Sequence, residues 1–497
     1  MIQTLALAFL LVFSSHSFLV HTYDLHSSQL LVPSPVFIST INSTIANVII
    51  AQRKVEISAT EIKDVGESYA INNCAELLDY TVDDLSASRS LIDNQSGEFY
   101  GTGNNNADLK AWLSAVIANQ ETCIEGLEMT SSSVKNDIVN TLQQIQSQVS
   151  NLLGMVPNIS SPIQSAKRKP SKVHSVTVSK DGSGNFTSIM DAVLSAPDNS
   201  ENKFVIYVKK GVYIENVEIG KNKWNLVLIG DGMNKTVISG NRSVGVNMTT
   251  YATATFSVTG KRFKAQDITF ENTAGPLAGQ AVALRSNSDL SAFYRCAFLG
   301  FQDTLYVHSN RQFYRECVIS GTVDFIFGKG TAVFQNCSIY VRNGHDGHDF
   351  DTVTAHSRLS PNQTTGFAIQ FSTINSDMYN IACGLQSTYL GRPWREYARS
   401  VVMQSYLSDI IKPEGWVEWN NRTSTKTVYY GEFKNDGPGA NLEDRVKWRG
   451  YHVMNKDEAN KFTVKNLING DLWLPETGIK YTKGLEVKNM INYFSRF

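Results

Sequence analysis

Between Gln280 and Gly328, polar residues return at a nearly constant interval. Gln280 and Gln302 are 22 residues apart, Asp303 and Asp324 are 21 apart, Cys296 and Cys317 are 21 apart, and Cys337 follows 20 later. The local text repeats with them: Asp267-Ile-Thr-Phe, Arg295-Cys-Ala-Phe, Glu316-Cys-Val-Ile and Asn336-Cys-Ser-Ile share a polar-apolar-small-apolar order, with a longer first interval. A period near twenty residues carrying short apolar runs constrains a chain to a solenoid, here a parallel β-helix, because each coil buries its apolar face only against its neighbours. Stacked strands lie about 4.8 Å apart, so residues one period apart become neighbours. Asp303 then sits beside Asp324, and Gln280 beside Gln302. A lone Asp is more often a turn residue, and a polar ladder can serve only to satisfy stacked coils. Two Asp and two Gln in register beside Phe325-Ile326-Phe327 weigh toward chemistry.

At 497 residues the chain has room for two or more domains with sizeable cores. Its net charge of −1 hides an asymmetry: residues 1–165 hold 6 Lys+Arg against 16 Asp+Glu, and the remainder holds 39 against 30. The two parts should attract each other, and the basic second part suits an acidic polymer. No block of Lys/Arg interleaved with aromatics points to nucleic acid. Leu5–Phe13 is a short apolar run followed by small residues, which reads as the core of a secretory leader over residues 1–22. N-x-[ST] sequons at Asn42, Asn94, Asn158, Asn185, Asn234, Asn241, Asn247, Asn336, Asn362 and Asn421 fit an exported glycoprotein. No later segment reads as apolar enough to span a membrane, so no membrane partner is expected. In an exported chain the six Cys can pair. Cys74–Cys123 would staple the first part, and Cys296–Cys317 would tie adjacent coils. The states of Cys337 and Cys383 stay open.

Residues 36–155 read as an all-α bundle. Apolar positions recur at three and four along Tyr69–Leu85, along Leu109–Ile117 and along Ile138–Leu152. Residues 156–172 hold Pro157, Pro162, Pro170 and the cluster Lys167-Arg168-Lys169, which fits either an exposed linker or a processing site. From Val173 short strands take over, punctuated by Gly, with a short helix at Ile189–Leu194 able to cap the solenoid's open end. No G-x-S-x-G elbow and no H-E-x-x-H is present. The run His345-Asp-Gly-His348-Asp reads as loop text, so no metal and no cofactor is expected.

Five blocks, Gly211-Val-Tyr-Ile-Glu215, Gln280-Ala-Val-Ala-Leu284, Gln302-Asp-Thr-Leu305, Asp324-Phe-Ile-Phe-Gly328 and Leu390-Gly-Arg-Pro-Trp394, resemble the signature blocks of plant pectinesterases and stand in that family's order. Ala111-Trp-Leu-Ser-Ala115 and Asn119-Gln-Glu-Thr-Cys123 resemble the inhibitor-like domain that precedes many members. The resemblance implies a right-handed parallel β-helix over residues 173–490, in a secreted enzyme of the plant cell wall. It implies hydrolysis of the C6 methyl esters of homogalacturonan, with Asp324 as nucleophile and Asp303 as general acid, then base. Gln280 and Gln302 would stabilise the oxyanion, Arg392 would pair with Asp324, and Trp394 and Thr250 would contact the sugar chain. Tyr306 and Phe327 would wall the cleft, with core packing an equal alternative for Phe327. Proteinaceous pectinesterase inhibitors are further expected partners. The first part would contact the second, either blocking the cleft as in a zymogen or assisting folding. Competing readings are a pectate lyase, which would want clustered carboxylates for Ca²⁺, a polygalacturonase, or a binding protein; paired Gln beside paired Asp favour an acyl oxyanion.

Overall fold

The computed structural model describes residues 34–60, 62, 64–93, 101–128, 130, 135–156, 173–342, 349–377, 387–419 and 424–485. The expected leader, Lys167–Lys169, Cys383, the His345–His348 run and the sequons at Asn94, Asn158 and Asn421 lie outside them.

Four helices come first: α1 (Ser34–Ala59), α2 (Val65–Asp93), α3 (Asn105–Glu128) and α4 (Lys135–Met155). Their apolar stripes meet in one core, with Phe37, Ile41, Leu77, Leu78, Leu113, Val116, Leu142, Ile145 and Val149 all buried. The disulfide Cys74–Cys123 joins α2 to α3. By length and composition alone, Pro35–Ala59 is apolar enough to cross a membrane, contrary to the reading from sequence. Phe37, Ile41, Val48, Ala51 and Val55 of that helix face the bundle core. α3 differs from its neighbours, because every residue from Ala111 to Cys123 is buried, including Ser114, Asn119, Gln120, Glu121 and Thr122. One face packs in the bundle and the polar face lies against the second part of the chain.

That second part winds into three parallel sheets of 11, 7 and 8 strands among the described residues. Each coil contributes one strand to each sheet in turn, which is a parallel β-helix. The repeated phrase marks one of its corners. Asp267, Arg295, Glu316 and Asn336 all adopt left-handed φ, between 49° and 58°. Such a conformation costs roughly 1–2 kcal/mol for a residue with a Cβ, and here each corner amide bonds the next coil, as Arg295 N to Arg315 O at 3.0 Å and Asn336 N to Gln370 O at 3.1 Å. The residue after each corner turns into the core. Phe371, Gln404 and Lys434 occupy the same corner, with φ of 53°, 51° and 47°. Inside, aromatic side chains stack coil on coil, with Phe293–Tyr314 and Tyr314–Phe334 ring centroids each 4.8 Å apart. A short helix, α5 (Ile189–Ser195), lies at the first coil. Glu215, last residue of the Gly211–Glu215 block, accepts the Ile189 and Met190 amides at its N-terminus, the nearer at 3.0 Å.

The expected Cys296–Cys317 bridge is not formed; both are free, buried thiols, as is Cys337. Stacked coils hold the side chains of equivalent residues parallel, near the 4.8 Å coil spacing. A disulfide needs Cβ atoms to converge to about 3.8 Å. The thiols pack instead as small apolar groups, with Cys317 Sγ 3.4 Å from Phe293 O. Burial pushes the Cys296 thiol up to about 12.

Candidate active site

The seven-stranded sheet forms the floor of the site. Leu284, Leu305, Ile326, Thr354 and Gly391 pair in one column across it, and Arg285, Tyr306, Phe327, Ala355 and Arg392 in the next. Alternate residues of a strand face opposite ways. Leu284, Leu305 and Ile326 therefore enter the solenoid core, while Tyr306, Phe327 and Ala355 face the helical bundle. The two intervals in the sequence have a structural cause. Thr304 O accepts from both Ala283 N (2.9 Å) and Leu284 N (3.3 Å), so the pairing slips by one residue there. That slip absorbs the extra residue of the Gln280–Gln302 interval. Asp303 N bonds Val323 O at 3.1 Å with no slip, as a 21-residue interval requires. Gly328 closes this segment at φ +133°, where a Cβ would lie 2.1 Å from Val307 O.

All nine residues singled out for substrate chemistry, Thr250, Gln280, Gln302, Asp303, Tyr306, Asp324, Phe327, Arg392 and Trp394, line one cavity of about 370 Å³. Asp324 is held from two sides. Arg392 donates Nε to Oδ1 at 2.9 Å and a terminal nitrogen to Oδ2 at 2.6 Å, a bidentate charge-assisted pair. Thr352 accepts the Asp324 amide at 2.8 Å and donates to Oδ1 at 2.6 Å. Asp303 sits on the neighbouring coil without such support. Burial, reinforced by the Asp324 charge and opposed by Arg392 and Lys329, pushes its carboxyl well above the usual range. A carboxyl pushed toward its protonated form beside an Arg-paired Asp324 makes an acid and a nucleophile available together. Both residues adopt left-handed φ, 63° at Asp303 and 54° at Asp324, so the turn aims both side chains at the cavity at a conformational cost. Gln280 and Gln302 line the same space half-buried. Phe327 does both things expected of it: it stacks on Tyr306 with centroids 4.2 Å apart and lies 6.2 Å from Trp394.

Several site residues carried no signal in the repeat. Thr352 lies 28 residues after Asp324, off the 20- to 22-residue interval of the repeat. Trp419 stacks near Trp394 and lies 4.0 Å from the Arg392 guanidinium carbon. Lys329 is fully buried, with Nζ 3.8 Å above the Trp394 ring. The helical bundle supplies the roof, with Asn73, Thr122, Glu125 and Glu128 lining the cavity. Glu125 reaches Lys329 (2.9 Å) and Arg395 (2.9 Å), and Glu121 reaches Arg395 (2.7 Å) and Ser357 (2.7 Å). Thr122 lies 3.0 Å from His308 Nε2, which burial, with Lys329 and Arg285 nearby, keeps neutral. Further along, Arg311 binds Asp289 at 2.6 Å within its own half and Asp108 of α3 at 2.8 Å.

A parallel β-helix carrying paired carboxyls and an Arg-held Asp, with half-buried amides beside them, is a set suited to acyl transfer on a solenoid. Two family models match: Pectinesterase over residues 175–471 and Plant invertase/pectin methylesterase inhibitor over residues 17–155. The pectinesterase/pectinesterase inhibitor PPE8B of Prunus persica is 48% identical, over 97% of this chain and 96% of its own length. The probable pectinesterase/pectinesterase inhibitor 44 of Arabidopsis thaliana is 45% identical, over 92% and 94%. The solved pectin methylesterase from carrot is 45% identical with a TM-score of 0.61, covering 65% of this chain and all of its own. The chain belongs to the pectinesterase family, with an inhibitor-type helical domain ahead of the β-helix.

Proposed function

We propose that this chain hydrolyses the C6 methyl esters of homogalacturonan, releasing methanol and leaving carboxylate, outside the cell in the plant wall. The observation that carries the mechanism is the division of labour between the carboxyls: Asp324 held by Arg392, Asp303 pushed toward its protonated form. An oxygen of Asp324 attacks the ester carbonyl carbon, and the carbonyl electron pair moves onto its oxygen. The amide N–H groups of Gln280 and Gln302 receive that oxyanion; one such donor is worth about 10²–10³ in rate. Collapse breaks the C–O bond to the methoxy group, which takes the proton from Asp303 and leaves as methanol. An acyl anhydride on Asp324 remains. Asp303, now ionised, removes a proton from water, and the resulting hydroxide attacks the acyl carbon. Asp324 departs as carboxylate and Asp303 is again protonated. Tyr306, Phe327, Trp394 and Trp419 offer flat faces to sugar rings, and Thr250 lies on the same wall.

The helical half, about residues 36–155, acts as a lid that keeps the unit of about residues 173–490 inactive until the halves part. Support comes from Asn73, Thr122, Glu125 and Glu128, which line the cavity that holds the carboxyl pair. Methanol release from highly methylated pectin tests the chemistry, with Asp324→Asn beside wild type. The chain is tested intact and after cutting at a protease site placed within residues 157–172. Release that vanishes in Asp324→Asn is expected; release that survives refutes the nucleophile assignment. Cut chain no more active than intact chain refutes the lid and favours a folding role for the helices.

A further inference from the structure

Tyr80, Asp84 and Ala87 recur at intervals of four and three along α2, so they lie on one face of that helix. That face does not close on the solenoid. With Asn119 of α3 it walls a cavity of about 380 Å³, and Trp224, Lys261, Asn287 and Asn310 form the opposite wall. These last stand on successive coils, each in the connection from the seven-stranded to the 11-stranded sheet. The cavity shares no lining residue with the one that holds Asp303 and Asp324. Its size falls within the range of about 300–1,000 Å³ common for small-molecule sites.

Buried polar atoms nearly always find hydrogen-bond partners. Asn119, Asn287 and Asn310 are 2%, 4% and 9% exposed, yet the Oδ1 of each accepts no hydrogen bond from a described residue. The Asn310 amide is oriented by its other end, because Nδ2 donates to the Asn287 carbonyl at 2.9 Å. Asn287 Nδ2 in turn donates to the Tyr251 hydroxyl at 3.4 Å. Asp84, 9% exposed, adds a carboxyl on the facing wall. Walls of this kind call for hydrogen-bond donors that carry no net charge. Lys221 and Lys261 line the cavity and disfavour a cation, while Asp83, Asp84 and Asp289 disfavour an anion. Hydroxyl groups supply donors without charge, and the rings of Trp224 and Tyr80 offer flat apolar faces to the C–H side of a sugar.

We propose that this cavity binds a small neutral sugar, apart from the ester-hydrolysing cleft, and that the site exists only while the helical half is docked. The sugar's hydroxyls donate to Oδ1 of Asn119, Asn287 and Asn310. Both halves supply walls, so an occupant favours the docked state: at about 100 times its Kd it multiplies the docked-to-separated ratio by about 100. The consequence for activity rests on the lid reading given above; the site itself does not.

Saturation-transfer NMR on the intact chain, with D-galactose as the probe, reads the site directly, and saturable binding is expected. Asn119→Leu removes one acceptor and should weaken binding about 3- to 10-fold. Ala87→Phe fills the cavity from the α2 wall and should abolish binding; thermal melts check that each variant folds, and either one carries the test alone. Gel filtration of chain cut within residues 157–172 reads the coupling, at the pH where half of the sugar-free material has separated. D-galactose should restore co-elution of the wild-type halves and leave Ala87→Phe unchanged. No saturable binding, or binding unaltered in the folded variants, would overturn the site and leave a hydrated cavity only. Spermidine or calcium chloride binding in place of D-galactose, with the same response to the variants, would overturn the neutral-sugar assignment. Binding with no effect on co-elution would overturn the dependence on docking. Methanol release enters none of these readouts, so failure of the esterase reading would leave the sugar site standing.

Discussion

Replacing Glu121 and Glu125 together by Gln should open the cleft of the intact chain. The substitution keeps side-chain size and hydrogen-bonding reach but removes both charges that α3 sets against Lys329 and Arg395. In the closed state Lys329 would then be fully buried with no ionic partner among the described residues. Breaking a buried pair from one side costs about 3–5 kcal/mol, most of it the penalty on the charge left behind. Arg395 contributes less, because its side chain is 33% exposed and exposed pairs are worth only about 0–1 kcal/mol. In the open state Lys329 can be hydrated, so the penalty falls on the closed form alone. The closed-to-open ratio should drop by roughly 10²–10⁴, at 1.4 kcal/mol per factor of ten. The assay is methanol release by intact wild type, intact double variant, and both after cutting in the linker. The intact variant is expected to approach the rate of cut protein, while cutting has little further effect on it. An intact variant as slow as intact wild type, with a cut form that is fast, would refute the idea that these carboxylates hold the lid. A variant slow in both forms, with an unchanged melting temperature, would mean the carboxylates act elsewhere.

Thr352→Val should lower kcat by about 10- to 100-fold in cut protein, since it removes a hydrogen bond to a charged carboxylate and leaves the buried Asp324 amide without its acceptor, each worth about 1–3 kcal/mol; kcat within twofold of wild type would refute a positioning role. The halves should separate as pH rises. Burial, opposed by Lys261 and Lys221 and reinforced by Asp83 and Asp289, raises Asp84 at the interface to about 7. A carboxyl raised on docking favours the docked state fully below its ordinary pKa near 4, and that contribution is lost as pH climbs through about 7. Gel filtration of cut chain should show co-elution near pH 5 and separation near pH 8, with Asp84→Asn flattening the dependence; tighter association at the higher pH would contradict this. Mass mapping of unreduced, denatured and alkylated protein should find Cys74 linked to Cys123 and the thiols of Cys296, Cys317 and Cys337 labelled; a Cys296–Cys317 peptide pair would refute the inert-ladder account.

The solenoid was legible where its coils are short and of equal length, and faded where they lengthen. From Arg295 to Asn336 the corner residue returns at 21 and 20, so the phrase shows by eye. After Asn336 the intervals to Phe371, Gln404 and Lys434 are 35, 33 and 30. Phe371-Ser-Thr-Ile and Gln404-Ser-Tyr-Leu keep only the closing apolar residue of the phrase, with Ser where Cys stood, and their corners are an aromatic and an amide instead of the Asp, Arg, Glu and Asn of the first four. Backbone geometry, not side-chain type, defines the corner, and loops inserted between strands hide its period. The disulfide expectation failed for a related reason. Sequence spacing locates neighbours in a stack but not the direction of their Cβ bonds, and parallel stacking keeps two thiols apart where two helices can bring them together.

The active-site half of the constellation was readable because its members are bound to the repeat. Asp303 and Asp324 occupy equivalent turns, and Gln280 and Gln302 differ from them by one residue because Thr304 O serves two amides. Arg392 joins through a column two strands further, from Phe327 through Ala355. The helical half's share of the cavity could not be read in that way. Its contribution lies on α3, where Glu121, Thr122 and Glu125 occupy positions that a single-face helical pattern assigns to solvent, and the 13 residues from Ala111 to Cys123 are all buried. A helix buried on a polar face needs a polar partner, and the only sign of one in the sequence was the excess of acid before residue 165 set against the excess of base after it. That imbalance gives attraction without address. The address is geometric: carboxylates one helical turn apart, at positions 121 and 125, span Arg395, and the second of them reaches across Trp394 to Lys329. Those contacts set two carboxylates of the helical half against two cations of the β-helix half.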